Sequence, residues 1–254
     1  MTSEVTAAQA GIGRLGLCSG CAYFPDFLNG LRCHPGDACI RAHSGRQIDR
    51  FLRQNREEAA KYLDDIFWER RAIAARYAAV DEIFRLKSDP DEVVRRVVAS
   101  RLPVEQLEGM LKDPDREVRL SVAARLPEAL LGRLISDPDY LIRATVARRL
   151  PHSQLTKLIK DPEREVRKVL ASRLPSFALH LMLADPEPEV RAIVAERALP
   201  ELAARLLNDD EWWVRLAAIA NAPLECLAPL LEDPETEIRE AAKARLAEAS
   251  NENP

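Results

Sequence analysis

The sequence has no long apolar run and no excess of basic residues. None of its apolar stretches approaches the roughly 18 residues of a membrane-spanning helix, so we expect no membrane association. Its 37 basic and 41 acidic residues give a formal net charge of −4, whereas dedicated nucleic-acid binders usually carry a basic excess. Residues 1–16 lack the apolar segment of a secretory signal. We therefore expect a cytoplasmic protein that does not bind nucleic acid.

Aromatic residues, β-strand patterns and catalytic motifs are also scarce. Aromatic residues make up only 5% of the 254 residues, so the core must be aliphatic. No stretch alternates apolar and polar residues with period two, so we predict no sheet. The four histidines have no nucleophile and acid placed as in a catalytic triad, and no P-loop is present. We therefore predict that the protein is not an enzyme.

A 24-residue period dominates the rest of the chain. Asp-Pro pairs open successive units, and in one unit the pair is Asp-Asp. An aliphatic residue and an arginine follow five residues later, and a Leu-Pro pair follows eight residues after that. The units open at Asp89, Asp113, Asp137, Asp161, Asp185, Asp209 and Asp233.

Each unit indicates where its helices begin and end. Asp is a favourable N-cap and Pro is tolerated at the first helical position, so we predict that a helix begins at each Asp-Pro pair. The apolar column Val118, Val122, Leu126 has helical spacing, and Pro127 ends the helix. The helix is therefore about three turns long. The remaining residues leave room only for a short second helix of α or 3-10 type.

A single unit cannot bury its apolar faces alone, so seven or eight units must stack into an all-α solenoid. We predict a Cys-rich domain at 1–62, a repeat solenoid at 63–250 whose degenerate first repeat is 64–88, and a frayed tail at 251–254. The segment 45–63 predicts one amphipathic helix that packs the Cys-rich domain onto the first repeat. Its apolar residues are Ile48, Phe51, Leu52, Ala59 and Leu63.

Four of the five cysteines lie within residues 17–40, at Cys18, Cys21, Cys33 and Cys39. In a reducing compartment such clustering favours a metal site over disulfides. Four thiolates suit either an iron–sulfur cluster or a tetrahedral structural zinc, and the spacing C-x2-C-x11-C-x5-C leaves both open. His34 and His43 are the nearby residues of another type that could ligate a metal.

The pattern DPxxxVRxxVAxRLP, together with this cysteine segment, resembles the leucine-rich repeat variant proteins. The resemblance implies a right-handed superhelix of alternating α- and 3-10 helices, capped by a small N-terminal domain that holds a [4Fe–4S] cluster. The resemblance also implies that the four cysteines of residues 17–40 are the ligands of this cluster, and zinc is the alternative metal. HEAT repeats share the Asp-Pro and Val-Arg signature, but their units of ≈ 40–47 residues are too long.

Two further features bear on partners. The arginines recur in two columns, which could form either a phosphate-binding stripe or a ladder of Arg–Asp contacts between neighbouring repeats, and the acidic balance favours the ladder. Trp212 and Trp213 interrupt the consensus beside the core residue Val214. They predict either an anchor for a partner or a cover over the gap left by the missing proline.

The sequence supports three functional hypotheses. The first is a non-enzymatic iron–sulfur scaffold that binds a macromolecule, most readily a protein, and transfers electrons or senses redox state. The second is a protein-binding solenoid with a purely structural metal cap, and the third is a nucleic-acid-binding solenoid. Relatives of the resembled family are associated with nitrogen-fixation gene neighbourhoods, which implies partners in redox or metallocluster chemistry.

Overall fold

The computed structural model of the chain describes residues 16–251, and side chains up to residue 248. The predicted frayed tail therefore lies outside the described residues from position 252 onward, and Asn251 itself is helical. All regular elements in the described part are helices. The chain forms two compact units, residues 1–125 and 126–254. The boundary predicted between residues 62 and 63 stays a prediction.

The first unit alternates α- and 3-10 helices after an irregular cysteine segment. Its α-helices are α1 (Asp26–Asn29), α2 (Gly45–Gln54), α3 (Trp68–Tyr77), α4 (Val80–Ile83), α5 (Glu92–Arg101) and α6 (Arg116–Arg125). Its 3-10 helices are Arg56–Tyr62, Phe84–Ser88 and Val104–Met110.

The second unit continues the same alternation. Its α-helices are α7 (Glu128–Leu131), α8 (Tyr140–Arg149), α9 (His152–Leu155), α10 (Arg164–Arg173), α11 (Pro188–Arg197), α12 (Pro200–Leu206), α13 (Trp212–Ile219) and α14 (Thr236–Asn251). Its 3-10 helices are Gly132–Leu134, Thr156–Leu158, Ser176–Met182, Leu224–Cys226 and Ala228–Glu232. No helix in the described part of the chain is both long and apolar enough to cross a membrane.

The helices end where the Leu-Pro pairs predict, but they begin later than predicted. Helix α5 starts at Glu92 and its N-cap is Asp91, whose side chain accepts a hydrogen bond from the Val93 amide. The prediction that Asp89 is the N-cap is therefore wrong by two residues. The Asp89 carboxylate instead accepts the Asp91 amide at 2.9 Å, which closes a turn before the helix. The same bond recurs from Asp139 to Asp137 and from Glu163 to Asp161.

The aliphatic columns form the core, as predicted. Val118, Val122 and Leu126 are fully buried, and the equivalent residues of the repeats that open at Asp89, Asp137 and Asp161 are buried with them. The short helix of each unit adds its own buried residues, such as Leu107 and Met110. Because each unit contributes only one α-helical stripe and one short helix, its apolar surface is covered by stacking on neighbouring units.

The first arginine column forms a buried ladder with the aspartates that open the repeats. The Arg143 guanidinium donates through Nε and Nη2 to both carboxylate oxygens of Asp161, at 2.7 and 2.9 Å. Its Nη1 donates to the Asp137 carbonyl at 2.8 Å. Equivalent pairs within the two units are Arg71–Asp89, Arg95–Asp113, Arg167–Asp185, Arg191–Asp209 and Arg215–Asp233. The predicted ladder is confirmed.

The second arginine column satisfies the carbonyl groups at the end of the preceding long helix. The Arg173 Nη1 donates to the Ala147 and Leu150 carbonyl oxygens at 2.6 and 2.8 Å. Asn221 occupies the same column and donates to the Ala195 carbonyl at 3.0 Å. These carbonyl groups have no partner within their own helix, so the side chains that bind them cap helix ends and do not form an open phosphate-binding stripe.

The segment 45–63 is not one continuous helix. Helix α2 ends at Gln54, and the 3-10 helix Arg56–Tyr62 follows after Asn55. The Asn55 side chain is fully buried and donates to the Phe51 and Arg32 carbonyl groups, each at 2.8 Å. The five apolar residues predicted to pack are all buried, and α2 packs against α3.

Candidate metal centre

The first two cysteines lie in a tight turn. The Cys21 amide donates to the Cys18 carbonyl at 3.1 Å. Gly20 has a φ of +66°, a left-handed conformation that costs glycine little because it lacks a Cβ atom. The sequence Cys-Ser-Gly-Cys therefore reverses direction within four residues and holds both thiols on one loop.

The other two cysteines come from separate segments. Cys33 follows α1, and its amide donates to the Phe27 carbonyl at 3.3 Å. Cys39 precedes α2, and its amide donates to the Gln47 carbonyl at 3.1 Å. Backbone hydrogen bonds thus fix each cysteine segment to a neighbouring helix, which keeps the thiols in place without a disulfide.

All four thiols line one cavity with an apolar wall. Leu17, Tyr23, Phe24, Pro35, Ile40 and Phe51 complete the lining. Cys39 is buried, while Cys18, Cys21 and Cys33 are half-buried. Neither His34 nor His43 contributes to the lining. The four cysteines that the sequence singled out are therefore brought together, and Cys226 does not join them.

The thiols influence one another's protonation. Burial, followed by the charges of Cys39, Cys18 and Cys21, raises the pKa of Cys33 to about 11. The pKa of Cys18 is also raised, first by burial and then by Cys39 and Cys21, while Arg41 opposes the shift. Thiolates in this cavity therefore need positive charge to be stable, and a metal centre supplies it.

A single zinc ion and an iron–sulfur cluster place different demands on four thiols. A zinc ion at about 2.3 Å from each sulfur would draw all four sulfurs tightly together. Among residues 16–251, no three His, Cys, Asp or Glu side chains are grouped closely enough to hold one metal ion. In an iron–sulfur cluster each thiolate binds a different iron, so four thiols spread around one cavity are compatible with that cofactor.

Side chains from residues 55–58 anchor the cysteine segments. The Tyr23 hydroxyl donates to the Glu58 carboxylate at 2.6 Å, and Tyr62 donates to the Tyr23 hydroxyl at 3.1 Å. The Arg32 Nε donates to the Asn55 side chain at 2.9 Å. Burial, followed by the Glu58 hydrogen bond, raises the pKa of Tyr23. No sequence pattern indicates these contacts, because they join ordinary polar residues 23 to 39 positions apart.

The predicted partner patch lies on α13, away from the cysteine segment in sequence. Val214 is fully buried, as its place in the core column predicts. The Trp212 side chain is 41% exposed and Trp213 is half-buried. The tryptophans therefore do not enter the core, and whether they bind a partner stays a prediction.

Comparison with known proteins identifies both parts of the chain. Residues 12–61 match a family described as LRV protein FeS4 cluster, and residues 116–139 match the leucine rich repeat variant family. A solved structure described as a leucine-rich repeat variant with a novel repetitive structural motif is 51% identical, with a TM-score of 0.87, over 90% of this chain and 98% of that chain. The predicted iron–sulfur cofactor and all-α repeat solenoid are confirmed.

A second relative is more distant. An uncharacterized 27.7 kDa protein in the nifB 3' region of Rhodobacter capsulatus is 38% identical over 86 residues, which make up 34% of this chain. The chain spans 35% of the length of that curated relative in the match.

Proposed function

Because the chain belongs to the leucine-rich repeat variant family, we propose that it is a non-enzymatic iron–sulfur repeat protein that docks a protein partner and exchanges electrons with it or reports redox state to it. The observation that carries the proposal is the position of the thiols. Three of the four are half-buried at the protein surface, where a cofactor lies within reach of a partner. We place the protein in the cytoplasm, where free thiols persist.

The proposed ligands are Cys18, Cys21, Cys33 and Cys39. When bound, an iron–sulfur cluster supplies one-electron chemistry at a potential set by charge, hydrogen bonds and solvent exposure. The apolar lining from Phe24, Phe51 and Ile40 limits the access of water to the cavity, and Arg41 lies near Cys18. These residues would tune such a centre, whereas the solenoid supplies the docking surface.

The alternative is a structural metal that only staples the N-terminal domain. It is favoured by the anchoring of the cysteine segments to residues 55–58, since a metal there would hold the first unit together. The partial exposure of Cys18, Cys21 and Cys33 favours the redox proposal instead, because electron exchange requires the cofactor to lie close to a partner. Solenoids of stacked repeats present extended surfaces that bind partners. The name of the R. capsulatus relative refers to the nifB region, which is compatible with a partner in metallocluster chemistry.

Metal analysis of anaerobically purified protein tests the ligand set. We expect brown protein with about four irons and four inorganic sulfides per chain. Replacement of any one of the four proposed ligands by alanine should sharply reduce the iron and sulfide content, whereas Cys226→Ala, the matched control, should retain both. Stoichiometric zinc in colourless protein, or loss of iron only in Cys226→Ala, would refute the assignment.

Zinc substitution separates the redox role from the structural one. If the cofactor only holds the fold, protein loaded with zinc should match the iron–sulfur form in helical circular dichroism, in partner affinity and in cellular activity. The redox proposal predicts instead that partner affinity or reduction rate depends on the oxidation state of the iron–sulfur form. Equal partner binding and activity in the zinc form would overturn the redox proposal.

A further inference from the structure

Helix α13 lacks the polar outer face of a surface helix. Its sequence, WWVRLAAI, contains one charged residue, Arg215, which pairs with Asp233. Val214, Ala218 and Ile219 are buried. We define the α13 face as the residues at the other helical positions and at the C-cap: Trp212, Trp213, Leu216, Ala217 and Ala220. Trp212 and Ala220 are exposed and the other three are half-buried, so this face presents apolar surface where a helix normally presents polar residues.

Ion pairs in a neighbouring repeat show which residues flank the α13 face. The Arg164 Nη1 lies 3.8 Å and the Lys168 Nζ lies 3.2 Å from the Glu189 carboxylate. The first and fifth residues of α10 thus contact the second residue of α11. Helix α13 packs between α11 and α14. In the pair α13 and α14, the positions that correspond to Arg164, Lys168 and Glu189 are held by Trp212, Leu216 and Glu237.

The borders of the α13 face are acidic. The outward positions of α11 and α14 contain Glu196 on one side and Glu237 and Glu240 on the other, whereas Glu189 is paired with Arg164 and Lys168 of α10. The remaining outward positions beside the α13 face carry Pro, Ala, Ile or Thr, and one exposed cation, Lys243, follows Glu240 on α14. Glu196, Glu237 and Glu240 are exposed. An apolar strip with carboxylates along its edges is complementary to an apolar segment flanked by cations.

We propose that the α13 face docks an amphipathic helix of the protein partner, with apolar residues on Trp212, Trp213 and Leu216 and with lysines or arginines against the flanking glutamates. This inference rests on the partner binding in the proposed function. An amphipathic partner helix that lies along the α13 face would bury its apolar side against that face. A second copy of this chain is a poor occupant, because a twofold contact would set the same acidic borders against each other.

A labelled amphipathic peptide of leucine and lysine, added to the full cluster-loaded chain, tests the proposal by fluorescence anisotropy. We expect saturable binding that Leu216→Glu weakens by at least about tenfold. Leu120→Glu is the matched control, because Leu120 is also the half-buried fifth residue of a long helix, α6, and this variant should bind like the unsubstituted protein. Glu237→Lys with Glu240→Lys should weaken binding and should improve binding of a leucine–glutamate peptide.

Each other outcome overturns the inference. Equal binding by Leu216→Glu and the unsubstituted protein, or equal weakening by Leu120→Glu, would show that the peptide binds elsewhere or without specificity. A concentration-dependent dimer that Leu216→Glu dissociates, measured by sedimentation, would identify a second copy as the occupant. Trp212→Ala, at an exposed position, serves as a second variant if Leu216→Glu loses helical circular dichroism. Reductive titration of the same variants distinguishes this proposal from the redox proposal, because the α13 face can lack peptide binding while the metal centre is still reduced reversibly.

Discussion

At the residue scale, the aspartate that opens each repeat binds two groups at once. One oxygen of Asp161 accepts the Glu163 amide at 2.9 Å, and both oxygens accept from the Arg143 guanidinium. Both side chains are buried, so the pair is not the weak surface contact that exposed ions would form. Removal of one side chain of the pair leaves the charge of the other buried without a counter-ion.

Asp161→Ala should therefore destabilise the protein far more than a surface change. Removing one partner of a buried ion pair costs about 3–5 kcal/mol, and we expect a clearly lowered midpoint in denaturant unfolding followed by circular dichroism. Glu163→Ala is the matched control, because Glu163 is exposed and its side chain does not cap α10. Similar midpoints for the two variants would contradict the role assigned to the ladder.

The ladder also makes stability depend on acid. The Arg215 hydrogen bond, and then the Glu235 amide, hold the pKa of Asp233 below its ordinary value of 3.8. A carboxyl group whose pKa is lower in the folded state stabilises the fold fully above its unfolded pKa, and this contribution is lost as the pH falls through the folded pKa. The stabilisation from the ionised Asp233 carboxylate is therefore lost as the pH falls below about 4.

Asp233→Asn removes this ionisation and should flatten the acid limb of the stability curve. We expect the unsubstituted protein to lose more unfolding free energy than Asp233→Asn between pH 5 and pH 2, in parallel denaturant titrations. Glu237→Gln changes an exposed carboxyl group of the same repeat and should leave the limb unchanged. A steeper acid limb in Asp233→Asn would mean that Asp233 is not the group responsible.

At the element scale, the sequence predicts the ends of the long helices more accurately than their starts. The Leu-Pro pairs mark the ends because proline restricts the residue before it. The Asp-Pro pair is typical of a helix N-terminus but predicts the start two residues too early, because Asp89 is committed to its own turn and to Arg71. The local sequence does not indicate the break at Asn55, because one acceptor of its side chain, the Arg32 carbonyl, lies 23 residues away.

The shifted start predicts where a capping substitution matters. The Asp139 side chain accepts the Leu141 amide at 2.8 Å as the N-cap of α8. Asp139→Ala should cost about 1 kcal/mol, measured as the change in unfolding free energy. Glu187→Ala, at the equivalent N-cap of α11 where the side chain makes no capping bond, should cost much less. Equal losses would show that the capping bond is not the cause.

At the scale of the whole molecule, the period is sufficient to predict the fold class, whereas the cysteine spacing leaves iron–sulfur and zinc both open and only the family resemblance implies the cluster. A repeat fold is readable because each contact recurs at a fixed sequence distance, so the core column and the Arg–Asp ladder follow from one unit. The cysteine cavity is different. Its apolar wall includes Phe51 from α2, and its segments are tied through Tyr23 and Glu58, contacts that occur once and leave no pattern.

A reductive titration of the anaerobically purified protein tests the central claim most directly, with electron paramagnetic resonance for the cluster and far-ultraviolet circular dichroism for the helices. The redox proposal predicts reversible one-electron reduction within the biological range of potentials, with helical signal retained in both states. A centre that cannot be reduced in that range, or one whose reduction unfolds the helices, would contradict it and leave a structural staple as the function of the four cysteines.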